Sequence, residues 1–259
     1  MEDNFLKVAK QAALEAGKII LKYFGTKYKL NIKDNDLSDF ATVADLEAEE
    51  KIVGILTKNF PEHNIIAEEK TKINQNSEYT WAVDPLDGTI SFAAGMPSFT
   101  VSIGLIKNGN PVLGVIYHVA KGDLYFAKTG KGAFLNNKSI KVSKKDRLEN
   151  AVVSLDFGHK NKRLEKFETY ISALMDKVGY IYSLGSGALS LAYTGSGILE
   201  SHIQIGGVWD HIGGTVIIRE AGGMVTDLEG NEPDWSKDQI SIVASNGLIH
   251  DQILEVLKK

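Results

Sequence analysis

The stretch from residue 79 to residue 89, Tyr-Thr-Trp-Ala-Val-Asp-Pro-Leu-Asp-Gly-Thr, constrains the fold more than any other part of the sequence. Its first five residues are apolar or β-prone, which predicts a buried strand. Pro85 and Gly88 interrupt regular structure, so a turn is expected directly after that strand. The sequence therefore predicts that Asp84 and Asp87 lie together at a strand end.

Asp84 and Asp87 offer hard oxygen ligands on a constrained backbone. Mg²⁺ prefers such ligands, and it usually keeps waters and phosphate oxygens in its remaining positions. Gly88 allows the backbone to approach an anion, and Thr89 adds a hydroxyl group and a further N–H. The pattern favours a site for a metal ion and a phosphate group. An exposed turn has the same residue preferences, so this stretch alone leaves both interpretations open.

The composition is that of a globular protein. The chain has 259 residues, of which 43% are hydrophobic, and this suits one large domain or two closely joined halves. The absence of cysteine excludes disulfides, thiolate catalysis and cysteine-ligated zinc. A net charge of −4 gives no reason to expect nucleic acid or a membrane as a partner. An acidic N-terminus without a long apolar run predicts a cytoplasmic protein.

The order of predicted elements indicates two halves of one compact unit. Residues 4–24 have the spacing of an amphipathic helix, and residues 26–38 are interpreted as a loop or a loose hairpin. Three β-rich runs between residues 99 and 127 predict an antiparallel meander. Strands and helices alternate from residue 150 onward. We therefore expect an N-terminal α+β half over 1–148 and a C-terminal α/β half over 149–259.

Further acidic residues occur at the ends of predicted elements. Thr42 and Asp45 have the spacing of a capping box, which favours a cap over a metal ligand at Asp45. The acids of this helix (Asp45, Glu47, Glu49 and Glu50) otherwise have the pattern of a solvated helix face. Glu68 and Glu69 follow a short apolar strand; adjacent acids cost little on an exposed loop but require a cation or water when buried, and the apolar residues before them favour the buried case.

Asp210 begins an apolar, glycine-containing helix, where a carboxylate also stabilises the helix dipole. Gly185 precedes another helix, and the Gly-Ser-Gly entry there suits either ligand binding or close packing.

Taken together, these stretches resemble the inositol monophosphatase family of Mg²⁺-dependent, lithium-sensitive sugar phosphatases. The resemblance covers essentially the whole chain and implies a layered α/β/α/β/α sandwich that is usually dimeric. It is carried by four motifs in order: Asp39-x-x-Thr42-x-x-Asp45, Ala67-Glu68-Glu69, Trp81-x-Val-Asp84-Pro-Leu-Asp87-Gly-Thr89, and Trp209-Asp210 with Glu220-Ala-Gly-Gly223.

The resemblance also implies the roles of individual residues. The first metal site would consist of oxygen ligands from Glu68, Asp84, Asp87 and the carbonyl of Leu86. A second metal would be bound by Asp84, Asp87 and Asp210, and Asp45 would help to hold a third through water. The attacking water would be oriented by Glu69 and Thr89, and the phosphate would be held by the backbone of Gly88 and Thr89.

The departures from the family pattern fall where the substrate is selected. Family members that act on inositol usually carry an acid several residues before the Trp-Asp pair, where this chain has the neutral Gln204. Ser91 replaces a usual Asn, and Ser183-Leu184 replaces a segment that often contains Arg. Gly185, Gln204 and Asp210 are the candidates for substrate contact, and inositol specificity is not implied by these residues.

The resulting hypothesis is a Mg²⁺-dependent phosphomonoesterase that acts on a small phosphate ester, with inositol 1-phosphate as the first candidate. Related activities on fructose 1,6-bisphosphate, histidinol phosphate or adenosine 3′,5′-bisphosphate stay open. A homodimer is expected from the resemblance. The alternative from another class is a partner-binding regulatory protein that retains the fold, but clustered buried acids would destabilise such a protein without a compensating use.

Overall fold

The computed structural model describes residues 2–27, 30–33 and 36–258, and the strands of these residues form three sheets. The strands are β1 (Leu30–Lys33), β2 (Asp36–Thr42), β3 (Asn64–Ala67), β4 (Lys72–Ile73), β5 (Tyr79–Asp87), β6 (Thr100–Lys107), β7 (Asn110–His118), β8 (Asp123–Lys128), β9 (Ala133–Leu135), β10 (Lys138–Ser139), β11 (Val152–Leu155), β12 (Tyr180–Tyr182), β13 (Ser201–Gly207), β14 (Met224–Thr226) and β15 (Gln239–Ser245).

The helices pack on the faces of the two larger sheets. They are α1 (Glu2–Tyr23), α2 (Val43–Asn59), α3 (Thr89–Ala93), α4 (Arg163–Lys166), α5 (Ser172–Leu174), α6 (Gly187–Gly195), α7 (Val208–Glu220) and α8 (His250–Leu257). A π-helical segment, Phe167–Ile171, connects α4 to α5. Among the helices of the described residues, none combines the length and the apolar character needed to cross a membrane.

The layers are helices, sheet, helices, sheet and helices. The larger sheet has the strand order β10-β9-β8-β7-β6-β5-β3-β4, and α1 and α2 pack on one of its faces. Helices α6 and α7 lie between this sheet and the smaller one, which has the order β12-β11-β13-β15-β14. In β15, Val243 packs in the cluster that contains α8, whereas Ile242 and Ala244 pack towards α7. The predicted α/β/α/β/α sandwich is confirmed.

Most of the predicted elements are present. The long N-terminal helix is α1, and the predicted meander is formed by β6, β7 and β8. Strands β1 and β2 pair as an antiparallel hairpin in the predicted loop region, although residues 28, 29, 34 and 35 lie outside the described residues. The two larger sheets separate between Ser139 and Val152. The exact division after residue 148 stays a prediction.

The prediction that Pro85 ends strand β5 is wrong. Asp84 pairs with Ser102 and Asp87 pairs with Thr100, so two residues of β5 oppose one residue of β6. This bulge accommodates a proline, which has no N–H to donate to the ladder. The strand therefore continues to Asp87, and both aspartates lie at its carboxyl end as predicted.

Glycines allow α7 to lie directly on the larger sheet. A Cβ atom on Gly114 of β7 would lie 2.0 Å from the carbonyl oxygen of Gly213 in α7, and one on Gly104 of β6 would lie 2.3 Å from Cγ2 of Ile212. The hydroxyl of Ser102 also donates to the carbonyl of Trp209 at 3.3 Å. These contacts bring the first turn of α7, which contains Asp210, close to the end of β5.

We predict that Gly114→Ala destabilises the fold more strongly than Gly54→Ala. The added methyl group at position 114 would clash with helix backbone, so the cost should reach the upper part of the range of about 1–3 kcal/mol known for overpacking. Gly54 lies in α2 with no atom within 4 Å of an added Cβ, so its replacement should be neutral or stabilising. Urea unfolding midpoints measure the difference, and equal midpoints would contradict the proposed close contact.

Candidate metal-binding and active site

Asp84 lies at the centre of a cluster of carboxyl groups. Its side chain is buried, and the carboxyl groups of Glu68 and Asp210 lie close enough to interact with it electrostatically. Its Oδ1 atom also accepts the N–H of Leu86 at 2.9 Å. Burial raises the pKa of Asp84 well above its usual range, and the negative charges of Glu68, Asp87 and Asp210 raise it further. Three separate segments of the chain therefore place acids around one strand end.

Asp87 joins strand β5 to the N-terminus of helix α6. Its carboxylate accepts the hydroxyl of Ser186, the hydroxyl of Thr100 at 3.1 Å, and the N–H groups of Gly187 at 3.1 Å and Ala188 at 2.9 Å. Burial raises the pKa of Asp87, and these hydrogen bonds oppose that shift. The first N–H groups of α6 are thus directed at a carboxylate, an arrangement that the helix dipole favours.

The backbone beyond Asp87 turns sharply at Gly88, which has a φ angle of 90°. A Cβ atom there would lie 2.6 Å from the carbonyl oxygen of Ser98 and 3.1 Å from that of Gly185. Gly185 itself has a φ of 69°, and a Cβ atom on it would lie 2.6 Å from Oγ of Ser91. The small residues at positions 88, 91 and 185 therefore bring the start of α3 close to the segment that leads into α6.

Asp45 connects helix α2 to this turn. The predicted capping box is confirmed, since Oδ2 of Asp45 accepts the N–H of Thr42 at 2.7 Å and the Thr42 hydroxyl accepts the N–H of Ala44 at 3.1 Å. The hydroxyl of Thr89 lies 3.1 Å from Oδ1 of Asp45 and 2.9 Å from the carbonyl oxygen of Leu86. Burial raises the pKa of Asp45 to about 6, and the hydrogen bonds from Thr42 oppose the rise. Asp45 is therefore both a helix cap and a partner of Thr89.

Glu49 supports the candidate site, and the sequence interpretation missed it. The expectation that it lies on a solvated helix face is wrong, because its side chain is only 3% exposed. Its carboxylate accepts the N–H groups of Glu69 at 2.9 Å, Lys70 at 3.0 Å and Thr71 at 2.9 Å. It thus fixes the backbone segment that carries Glu68 and Glu69, both half-buried. Its spacing of four residues from Asp45 was the signal available, since such residues share a helix face.

Gln204 contacts Asp210 directly. Its Nε2 atom donates to Oδ2 of Asp210 at 3.2 Å, and its Oε1 atom lies 2.9 Å from Nε2 of His202. The carboxamide also packs on Gly187, where an added Cβ atom would lie 2.1 Å from Oε1. His202 was not predicted as part of the site. The orientation of Gln204 therefore depends on a neighbour two residues earlier in β13.

The donor set suits a hard divalent cation. Among the described side chains, those of residues 4–27 and 41–258, no three His, Asp or Glu side chains already form a metal-binding arrangement. The carboxyl groups at the end of β5 repel one another, and their negative charges raise the pKa values of Asp84 and Asp210. A divalent cation bound to these oxygens would relieve the repulsion. Carboxylate and carbonyl oxygens are the ligands that Mg²⁺ prefers.

Comparison with known proteins identifies close relatives over the full length of the chain. The sequence profile of the inositol monophosphatase family matches residues 1–259. A protein named fructose-1,6-bisphosphatase/inositol-1-monophosphatase from Aquifex aeolicus is 37% identical over 99% of this chain and 96% of its own length.

Two solved structures have the same fold. The extragenic suppressor protein suhB from Bartonella henselae superposes with a TM-score of 0.90 at 34% identity, over 98% of each chain. An inositol monophosphatase from Anabaena superposes with a TM-score of 0.87 at 33% identity, over 99% of this chain and 96% of that one. The chain therefore belongs to the inositol monophosphatase family, whose members are phosphoric monoester hydrolases.

Proposed function

We propose that the protein is a Mg²⁺-dependent phosphomonoesterase that hydrolyses a small phosphorylated polyol or sugar, with inositol 1-phosphate as the first candidate. The observation that carries this proposal is the cluster of acids around Asp84, in which Asp84 and Asp87 are buried and Glu68 and Asp210 are half-buried, next to the half-buried residues Gly88 and Thr89. Phosphoryl transfer needs charge neutralisation and in-line positioning more than covalent chemistry from the protein. With Mg²⁺ held by these acids, the site would supply the charge neutralisation, and the backbone at Gly88 and Thr89 would supply the positioning.

The residues proposed to hold the metal are those whose oxygens converge at the end of β5. When bound, Mg²⁺ neutralises phosphate charge and lowers the pKa of a coordinated water. The proposed ligands are the side chains of Glu68, Asp84, Asp87 and Asp210 and the carbonyl of Leu86.

The other residues of the site position the water and the phosphate. The Thr89 hydroxyl has one proton and donates one hydrogen bond, either to Asp45 or to the carbonyl of Leu86. The oxygen of the same hydroxyl is then free to accept a hydrogen bond from the attacking water. Glu69 orients the same water, and Glu49 fixes the backbone from which Glu69 extends. The backbone N–H groups of Gly88 and Thr89 hold phosphate oxygens.

Asp210, Gly185 and Gln204 are proposed to contact the substrate. The names of the relatives include fructose-1,6-bisphosphatase as well as inositol monophosphatase, so fructose 1,6-bisphosphate is the leading alternative substrate.

A homodimer is also proposed. Strand β12 lies at the edge of the smaller sheet, and its tyrosines Tyr180 and Tyr182 are 61% and 49% exposed. Their rings lie 5.5 Å apart and give this edge an apolar surface of the kind found in protein interfaces. Cytoplasmic location and lithium sensitivity stay predictions from the sequence.

The proposal is tested by phosphate release from four esters with Mg²⁺ and with EDTA: inositol 1-phosphate, fructose 1,6-bisphosphate, histidinol phosphate and adenosine 3′,5′-bisphosphate. We expect release that depends on Mg²⁺ and is fastest with inositol 1-phosphate. Faster release from another ester would retain the mechanism and change the substrate. If none of the four esters is hydrolysed in the presence of Mg²⁺, the proposed function is wrong.

Asp84→Asn should separate stability from catalysis. The substitution removes a carboxyl group that is surrounded by other acids, so we expect a higher melting temperature than that of the wild type in EDTA at neutral pH. It also removes a proposed ligand, so turnover should fall roughly 1000-fold, equivalent to several kcal/mol of lost electrostatic stabilisation. The rise in melting temperature that Mg²⁺ produces in the wild type should disappear. A variant that kept this rise would show that Asp84 does not bind the metal.

Glu49→Gln should reduce activity without removing any proposed ligand. An amide offers one acceptor oxygen where the carboxylate offers two, so the 69–71 segment should lose part of its support. We expect turnover to fall about 10- to 100-fold, the range known for residues that orient metal ligands. Glu50→Gln, at the adjacent exposed position, is the matched control and should retain wild-type turnover. Equal activities of the two variants would show that Glu49 has only a structural role.

A further inference from the structure

Asp156 and Lys166 form an ion pair next to Ile205 of strand β13, close to the cluster of acids. Asp156 directly follows strand β11, and Lys166 is the last residue of α4. The ammonium group of Lys166 donates to Oδ2 of Asp156 and to the carbonyl oxygen of Ile205, the latter at 2.8 Å. The side chain of Lys166 is 8% exposed, whereas that of Asp156 is 27% exposed. The lysine is therefore a buried support, and the aspartate is the partner that solvent or a ligand can reach.

Strand β13 connects this ion pair to the cluster of acids. Ile205 lies between Gln204, which donates to Asp210, and Gly206, where an added Cβ atom would lie 2.9 Å from Oδ2 of Asp210. The N–H of Asp156 also donates to the carbonyl of Ile203 at 3.1 Å. The negative charge of Asp156 is one of the causes that raise the pKa of Asp210, after burial and the larger effects of Asp87 and Glu68. Asp156 thus lies close to the acids without forming hydrogen bonds to them.

Asp156 retains capacity to accept hydrogen bonds. Its Oδ1 atom accepts the N–H of Gly158 at 2.9 Å, and its Oδ2 atom accepts from Lys166. A carboxylate offers about four acceptor positions, so roughly half of them are still available. Gln204 is also predicted to contact substrate, but its amide oxygen is already hydrogen-bonded to His202 and its amide nitrogen to Asp210. Near this end of β13, Asp156 is therefore the better acceptor for additional hydroxyl groups.

We propose that Asp156 determines substrate specificity by accepting hydrogen bonds from the hydroxyl groups of a polyol or sugar phosphate. Lys166 is a positioning residue that holds this carboxylate and compensates its charge. Hydrogen bonds from hydroxyl groups to a carboxylate are charge-assisted and therefore stronger than those to a neutral amide. The inference rests on the proposed function, because it assumes that the phosphate ester binds at the cluster of acids.

Asp156→Asn tests the inference with esters that differ in their hydroxyl groups. The polyol substrate is inositol 1-phosphate or fructose 1,6-bisphosphate, whichever the wild type hydrolyses faster. The reference substrate is p-nitrophenyl phosphate, which has no sugar or polyol hydroxyl group. We expect kcat/KM for the polyol ester to fall about 10- to 100-fold, mainly through KM, as expected for a lost hydrogen bond to a charged group. The value for p-nitrophenyl phosphate should change less than about twofold. Equal losses with both esters would overturn the inference.

Glu200→Gln is the matched control variant. Glu200 forms a comparable ion pair with Lys145 at 3.1 Å and accepts the N–H of Val152 at 2.7 Å, at the opposite end of β11. This variant should leave the ratio of the two kcat/KM values unchanged. Lys166→Met should shift the ratio in the same direction as Asp156→Asn, since it releases the carboxylate from its position.

A binding measurement separates this inference from the proposed function. With Ca²⁺ replacing Mg²⁺, calorimetry should show that Asp156→Asn weakens binding of inositol 1-phosphate about tenfold or more while binding of inorganic phosphate is unchanged. If the wild type hydrolyses no ester, the proposed function fails, but this comparison still tests Asp156. The inference is overturned if the wild type binds inositol 1-phosphate no more tightly than inorganic phosphate, or if the variant weakens both equally.

Discussion

Repulsion among buried carboxyl groups is the constraint on which the rest of the structure depends. Acids from β5, from the segment after β3 and from the start of α7 meet around Asp84. Ionised groups at this depth would oppose folding unless protons, hydrogen-bond donors or cations compensate them. The surrounding structure supplies donors wherever it can: hydroxyl groups of threonine and serine, and the first N–H groups of α6. The negative charge that these donors do not compensate is the charge that a bound cation could neutralise.

The packing between the two larger sheets therefore also sets the geometry of the site. Asp210 reaches the cluster because Gly104 and Gly114 allow α7 to approach the larger sheet closely. Asp87 reaches across to α6, and Gly88 and Gly185 allow their two loops to meet. In each case glycines let two segments approach closely enough for a carboxylate to reach the site. The close contacts at these glycines therefore serve both the packing of the core and the assembly of the candidate site.

The sequence predicted the acids and the layers, but it did not predict the residues that support the acids. Asp84 and Asp87 stand out because they end an apolar run just before Gly88, whereas Asp210 was assigned to the site by the family resemblance. Glu49 was missed because a run of acids on a helix predicts a solvated face. Its burial against the 69–71 segment is a tertiary contact that produces no signal in the neighbouring sequence. Asp156 and His202 were missed for a related reason: their neighbours depend on the pairing of β11 with β13, which is set by tertiary structure. The continuation of β5 through Pro85 required a bulge that composition does not specify.

The bond between Asp87 and helix α6 has a consequence for motion. Any local opening that frays the first turn of α6 also removes donors from Asp87 and increases the charge that the cluster must tolerate. The first turn of α6 and the carboxyl end of β5 are therefore expected to open together, as one cooperative unit. By reciprocity, an ion that orders Asp87 also orders the first turn of α6. The fraction of sites that hold an ion and the fraction of molecules with an ordered first turn of α6 would then rise and fall together.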